Sequence, residues 1–260
     1  MAGIELRPRS TSEIVDAAIQ LVRGHYLAYV MIAALVNAPA IAYATMQFNV
    51  IIGGGPARIN WPAAFLSFGV STSFGLLNES VSIAAMSRPY LGEPLDIGGA
   101  LATALRRIIP LILAQIVRLI AMGVGFLLFV VPGIYIGVRT YCLDAVVMLE
   151  DASSPFTIFG RSWRLSEKDA MHIFLAALLS TVFVIVGVVA GGLLATALAA
   201  VVPGLGGPRM HQLFQSAFVC FVAPIGAAVI TVLYYDLRIR REGFDLELSS
   251  KALGTDAAAR

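Results

Sequence analysis

Apolar runs recur along the chain at approximately 26–47, 62–87, 109–131, 133–149, 171–200 and 212–236, with short polar stretches between them. A helix crossing the hydrocarbon core of a bilayer needs about 20 such residues. The pattern therefore predicts six transmembrane helices. The second run is the most polar, with Ser67, Ser71, Thr72, Ser73, Ser80 and Ser82. Small polar residues of this kind let helices approach closely. The third and fourth runs are separated only by "VVPGI", so Pro132 and Gly133 predict a tight hairpin. The fifth is longer than a bilayer is thick, which calls for a tilt or for a bend at Gly191 and Gly192. Gly187 and Gly191 form a GxxxG pair in it, a weak pattern in a chain this rich in glycine.

The polar stretches have a helical period of their own. "STSEIVDAAIQLVRGHY" precedes the first span; Ser10 and Glu13 fit a capping box, and Ile14, Ala17, Ala18, Leu21 and Val22 make an apolar stripe. "LDIGGALATALRRIIP" precedes the third, with Ile97, Leu101, Ala104, Leu105 and Ile108 on one stripe. "SPFTIFGRSWRLSEKDA" precedes the fifth, with Phe156, Phe159 and Trp163 on one face and Arg161 and Arg164 nearby. Each reads as a short amphipathic helix in the headgroup layer, followed by a hairpin of two spans. The chain is thus expected to be three copies of one unit, alike in pattern more than in identity.

Positive charge orients the bundle. Arg7, Arg9 and Arg23, then Arg88, Arg106 and Arg107, then Arg161, Arg164 and Lys168, and finally Arg238, Arg240, Arg241, Lys251 and Arg260 all fall on one side. The other side has Arg58 and Arg209. The positive-inside rule makes the first side cytoplasmic, with both termini there. The first apolar run begins only near Tyr26, after Glu5, Glu13 and Asp16. It therefore reads as an uncleaved span and not as a secretory signal. Residues 1–248 are expected to form one membrane domain, and 249–260 a flexible cytoplasmic tail.

Composition supports this class. Apolar residues make up 58% of the chain and charged residues 13%, about half the charged share of a soluble domain. A net charge of +2 without a Lys/Arg run gives no basis for nucleic-acid binding. Cys142 and Cys220 lie inside apolar stretches and read as buried thiols. His25, His172 and His211 are scattered at the starts of apolar runs, without metal-binding spacing. No Walker, GxSxG or GxGD motif is present, and no cofactor is expected.

Three stretches in order, "PGIYIGVRTYCLDAVVMLED", "SPFTIFGRSWRLSEKDAMHIFLAALL" and "LYYDLRIRREGFDLEL", resemble the glycerophosphoryl diester phosphodiesterase membrane-domain family. "LRPRSTSEIVDAAIQLVRGHYLAYVMIAAL" and "RPYLGEPLDIGGALATALRRIIP" are similar to it as well, and the resemblance runs from about residue 6 to 248. It implies a polytopic module of a bacterial cytoplasmic membrane. It does not imply the hydrolase, because the catalytic domain of such proteins resembles a TIM barrel with a His-Arg-Gly start. That barrel needs about 250 residues of alternating strands and helices. "RGH" at Arg23–His25 has the residues in another order.

Four ionisable residues fall well inside the expected spans: Glu79, Arg118, Arg139 and Asp144. Each costs about 2.5–3.5 kcal/mol at a helix centre, so partners or water are required. On a continuous helix Arg139 and Asp144 stand about 140° apart and cannot pair directly. Glu79 and Arg118 lie roughly 13 Å below the basic surface. Two acids and two bases at similar depth give a neutral cluster, with Glu79 on Arg118 or Arg139 and Asp144 on Arg118. Two readings of it stand: pairs that fix helix register, or a polar cavity for a headgroup, an ion or a proton. Asp236, before Arg238, Arg240 and Arg241, reads as membrane-edge anchoring. The leading expectation is a non-enzymatic, multi-pass membrane protein that works by binding, as a scaffold or accessory subunit or in envelope homeostasis. It would meet membrane lipids and a membrane-protein partner or a second copy of itself. The alternative is a carrier of lipids or small solutes.

Overall fold

The computed structural model describes residues 7–52, 59–151, 154–202, 208–244 and 246. The expected tail at 249–260 and Arg58 lie outside these. The described residues form ten α-helices and no strand: α1 (Thr11–Gly24), α2 (Tyr26–Ile52), α3 (Trp61–Tyr90), α4 (Ile97–Arg106), α5 (Ile108–Leu128), α6 (Val130–Arg139), α7 (Leu143–Leu149), α8 (Pro155–Leu165), α9 (Ala170–Val201) and α10 (Pro208–Glu242). Five segments are long and apolar enough to cross a membrane: Tyr26–Phe48, Ile108–Leu128, Val130–Leu149, Ala170–Val201 and Arg209–Glu242. The expected span at 62–87 falls in α3, which has the length but is not among the five. Its serines, Asn78, Glu79 and Arg88 lower its hydropathy. It packs along α2 and α10 all the same.

The short helices are set by local chemistry. Ser10 Oγ accepts from the Glu13 N–H, and the Glu13 carboxylate accepts from the Ser10 N–H at 2.7 Å, a complete capping box at the start of α1. Asp96 caps α4 by accepting from the Gly99 N–H at 2.8 Å; a Cβ on Gly99 would stand 2.3 Å from that carboxylate. All five stripe residues of α1 are buried, against α10, α9 and the neighbouring spans. The apolar face of α1 is therefore covered by protein, not by lipid. In α8 the expected stripe is displaced: Ile158, Ser162 and Leu165 are buried, whereas Phe156 is exposed. In α4 Ala100 and Ala104 face inward and Leu105 outward.

The middle hairpin turns earlier than the Pro132–Gly133 pair suggests. Phe129 is extended and ends α5, and Val130 starts α6. Pro132 lies in the first turn of α6, where a missing N–H leaves no helical bond unmade. Gly133 is required by packing: a Cβ there would come within 2.5 Å of the Phe126 ring. The segment also breaks again at 140–142, where Thr140 Oγ1 donates to Ile136 O at 2.8 Å and the Leu143 N–H to Thr140 O at 3.1 Å. Arg139 and Asp144 therefore sit on two different helices, not on one.

The core gathers at one end of the bundle. It joins α1, the first turns of α2 and α9, the last turns of α3 and α10, and most of α7. The opposite end is apolar but open to the surroundings, with Leu127, Leu128, Phe129, Val130 and Val131 exposed at the hairpin tip. Gly187 and Gly191 bring α9 onto α10: Cβ atoms there would lie 2.7 Å from Val222 and 2.3 Å from Phe218. The GxxxG pair is thus spent inside the chain.

Candidate intramembrane polar site

The break after Arg139 places Asp144 in the first turn of α7, facing α5. Gln115 and Arg118 lie one helical turn apart on the facing side of α5. Gln115 Nε2 donates to Asp144 Oδ1 at 2.5 Å, and Arg118 Nη1 stands 3.5 Å from Asp144 Oδ2. Asp144 is buried and Arg118 three-quarters covered. Glu79, part-buried on α3, faces the same group, close enough for the charges of Asp144 and Arg118 to act on it. Among the described residues it has no ion pair within 4 Å.

Arg139 is not brought to this group. Its side chain turns towards α8, where Nη1 donates to Ser166 O at 3.0 Å. The guanidinium lies 4.6 Å from the ring centre of Trp163 and 5.7 Å from that of Tyr135. Its backbone carbonyl accepts from the hydroxyls of Ser162 and Ser166 at 3.2 and 3.0 Å. Three of the four expected residues thus share a site, with two acids to one base, and the fourth joins α6 to α8.

Two further charge networks lie at the packed end. Asp236 is fully enclosed. Oδ1 accepts the Arg9 N–H at 2.7 Å, Oδ2 accepts Arg240 Nε at 2.7 Å, and His172 Nε2 stands 3.4 Å away. Arg240 also donates to Arg9 O, and Thr11 bonds His172 Nδ1 at 3.1 Å. The start of the chain, α9 and α10 therefore meet on one carboxylate. The second network is built on Arg161, which holds Glu150 at 2.8 Å and pairs with Glu242. Tyr234 donates to Glu150 at 2.9 Å. The Glu242 carboxylate first, and then Glu150, hold the Arg161 guanidinium above its ordinary value. Arg107 adds bonds to Val147 O, Glu150 O and Asp151.

The i,i+4 pairs Asp236–Arg240 and Arg238–Glu242 could be read from spacing. Their partners on other elements could not. The described residues contain no group of three His, Cys, Asp or Glu able to hold a metal. Cys142 and Cys220 are both buried free thiols. The groove between α2 and α10 is lined by Val30, Ala34, Ile41, Leu213, Phe221 and the Cys220 thiol, so it is almost wholly apolar. Compared with known proteins, the chain matches no family model, no curated protein and no solved structure. The family resemblance therefore stands on the quoted residues alone.

Proposed function

We propose that the chain is a six-span protein of a bacterial cytoplasmic membrane, with both termini inside, and that it works by binding as a scaffold or accessory subunit. In this reading the three units are α1 with α2 and α3, α4 with α5 and α6–α7, and α8 with α9 and α10. Each unit is a short helix and a hairpin, and α3 serves as the sixth span because it runs along two apolar spans. The chain is a membrane module of the glycerophosphodiesterase membrane-domain type. The supporting observation is how the charges are used: Asp236, Glu150, Arg161, Arg107, Arg118 and Asp144 all engage groups on other elements. Such side chains join helices and do not meet around an open reaction centre.

The test is photo-crosslinking in native membranes from probes placed at Leu127 and Val130, on the exposed hairpin tip. Scaffolding predicts discrete protein adducts, either a partner or a second copy. Lipid adducts alone, or phosphodiesterase activity of the purified chain, would remove the reading. The carrier reading has its own support: Asn78 Oδ1 and the hydroxyls of Ser80 and Ser82, on the same stretch of α3 as Glu79, are buried with no partner among the described residues. Buried polar atoms normally have one. Carriage predicts solute flux in liposomes and labelling of cysteines placed at Glu79 or Arg118 in the folded protein; labelling only after unfolding would exclude it.

A further inference from the structure

Arg139 is 3% exposed, and no carboxylate among the described residues comes within ion-pair distance of it. A buried cation left without an anion is costly in a medium of low dielectric. Among the described residues its single acceptor is the Ser166 carbonyl. Trp163 and Tyr135 lie against the guanidinium face, an arrangement that leaves the in-plane donors other than Nη1 unused. Nε is enclosed without an acceptor, whereas Nη2 is neither bonded nor enclosed. An edge of two or more free N–H donors in one plane matches the oxygens of a phosphate.

The surroundings of that edge are amphipathic. Ile134, Tyr135 and Phe156 are exposed apolar side chains. Arg164 and Lys168 are exposed on α8 and just after it, with Glu167 exposed between them, so the exposed stretch keeps an excess of positive charge. Tyr and Trp beside basic residues are characteristic of the headgroup level of a membrane. A soluble phosphate ester would gain nothing from the apolar side chains, whereas acyl chains would cover them.

We infer that Arg139, Trp163 and Tyr135 form a binding site for the phosphate of an anionic phospholipid headgroup. The site needs only that the chain lies in a membrane and is independent of the scaffold reading, so a chain with no protein partner should still show it.

The test uses the fluorescence of Trp163. The chain has two tryptophans, so Trp61→Phe leaves Trp163 as the sole emitter. The full chain carrying that change is placed in phosphatidylcholine vesicles containing rising fractions of brominated phosphatidylglycerol or brominated phosphatidylcholine. Phosphatidylglycerol is expected to quench Trp163 at an about tenfold lower mole fraction, because the choline of phosphatidylcholine offsets its phosphate charge beside Arg139 and its basic neighbours. Millimolar inorganic phosphate should leave that preference unchanged. Arg139→Gln should bring the two lipids to parity, and Arg106→Gln, at an exposed base on α4, should not. Equal quenching by both lipids in the chain that retains Arg139 would overturn the inference, whether or not R139Q folds. A preference that survives R139Q would also overturn it, as would one abolished by inorganic phosphate, which would assign the site to a soluble anion.

Discussion

Asp236→Ala removes a fully buried carboxylate that holds three elements together. Breaking a buried ion pair from one side costs about 3–5 kcal/mol, because the other charge is left uncompensated. Arg240 retains a bond to Arg9 O, and its side chain is 29% exposed, so water recovers part of the loss. The cost should therefore fall near the lower limit, at about 3 kcal/mol. Asp236→Asn keeps an acceptor for the Arg9 N–H but loses the charge facing Arg240. A hydrogen bond to a charged group is worth about 1.5–3 kcal/mol, so about 2 kcal/mol is expected. Arg241→Ala is the contrast. Its pair with Asp169 lies at the edge, with both side chains a fifth exposed, and should contribute less than about 1 kcal/mol. Reversible unfolding of the full chain in mixed micelles, titrated with denaturing detergent, measures all three. If both Asp236 variants fall within about 0.5 kcal/mol of the parent, the carboxylate is not a join and the reasoning fails.

Gly191→Leu drives a side chain into Phe218 and should cost about 1–3 kcal/mol by overpacking, whereas Gly192→Leu, with open space around it, should cost far less; detergent unfolding compares them. Glu13 is held at about 2, chiefly by the Ser10 N–H and then by Arg7. Its folded value lies below the ordinary 4.5, so its support of α1 is complete above pH 4.5 and is lost as the pH falls towards 2. A carbon-13 titration of the Glu13 carboxyl should show that low midpoint, and a midpoint near 4.5 would contradict it. Single cysteines at Asn60 and Glu93, at the two ends of α3, should label from opposite faces of the membrane; labelling from one face would leave five spans.

Most of the helical frame could be read from the sequence because membrane burial writes itself as long apolar runs. Ser10 and Glu13 also announced the start of α1, since a capping box is local. What escaped was set by contact across elements. The break at 140–142 carries neither Gly nor Pro, so the hydropathy of the run passed straight through it. That hidden break frees Arg139 to reach α8, whereas depth along one continuous helix would group it with Glu79. Of the remaining residues, Gln115 is uncharged and so gives no signal of intramembrane charge, yet it makes the shortest bond to Asp144. Asp236 looked like an edge residue because its partners, Arg9 and His172, lie 227 and 64 positions earlier in the chain. The stripes of the short helices were legible, but what covers them was not: the α1 face predicts burial equally well in lipid or in protein.

The use of intramembrane charge to join helices is tested most directly by one double-mutant cycle between Arg118 and Asp144, run beside the same cycle between Arg139 and Glu79. The first pair should couple by about 1–1.5 kcal/mol, at the upper end of polar pairs in membrane proteins, and the second by less than about 0.5. Additive losses at Arg118 and Asp144, or strong coupling between Arg139 and Glu79, would contradict the arrangement described.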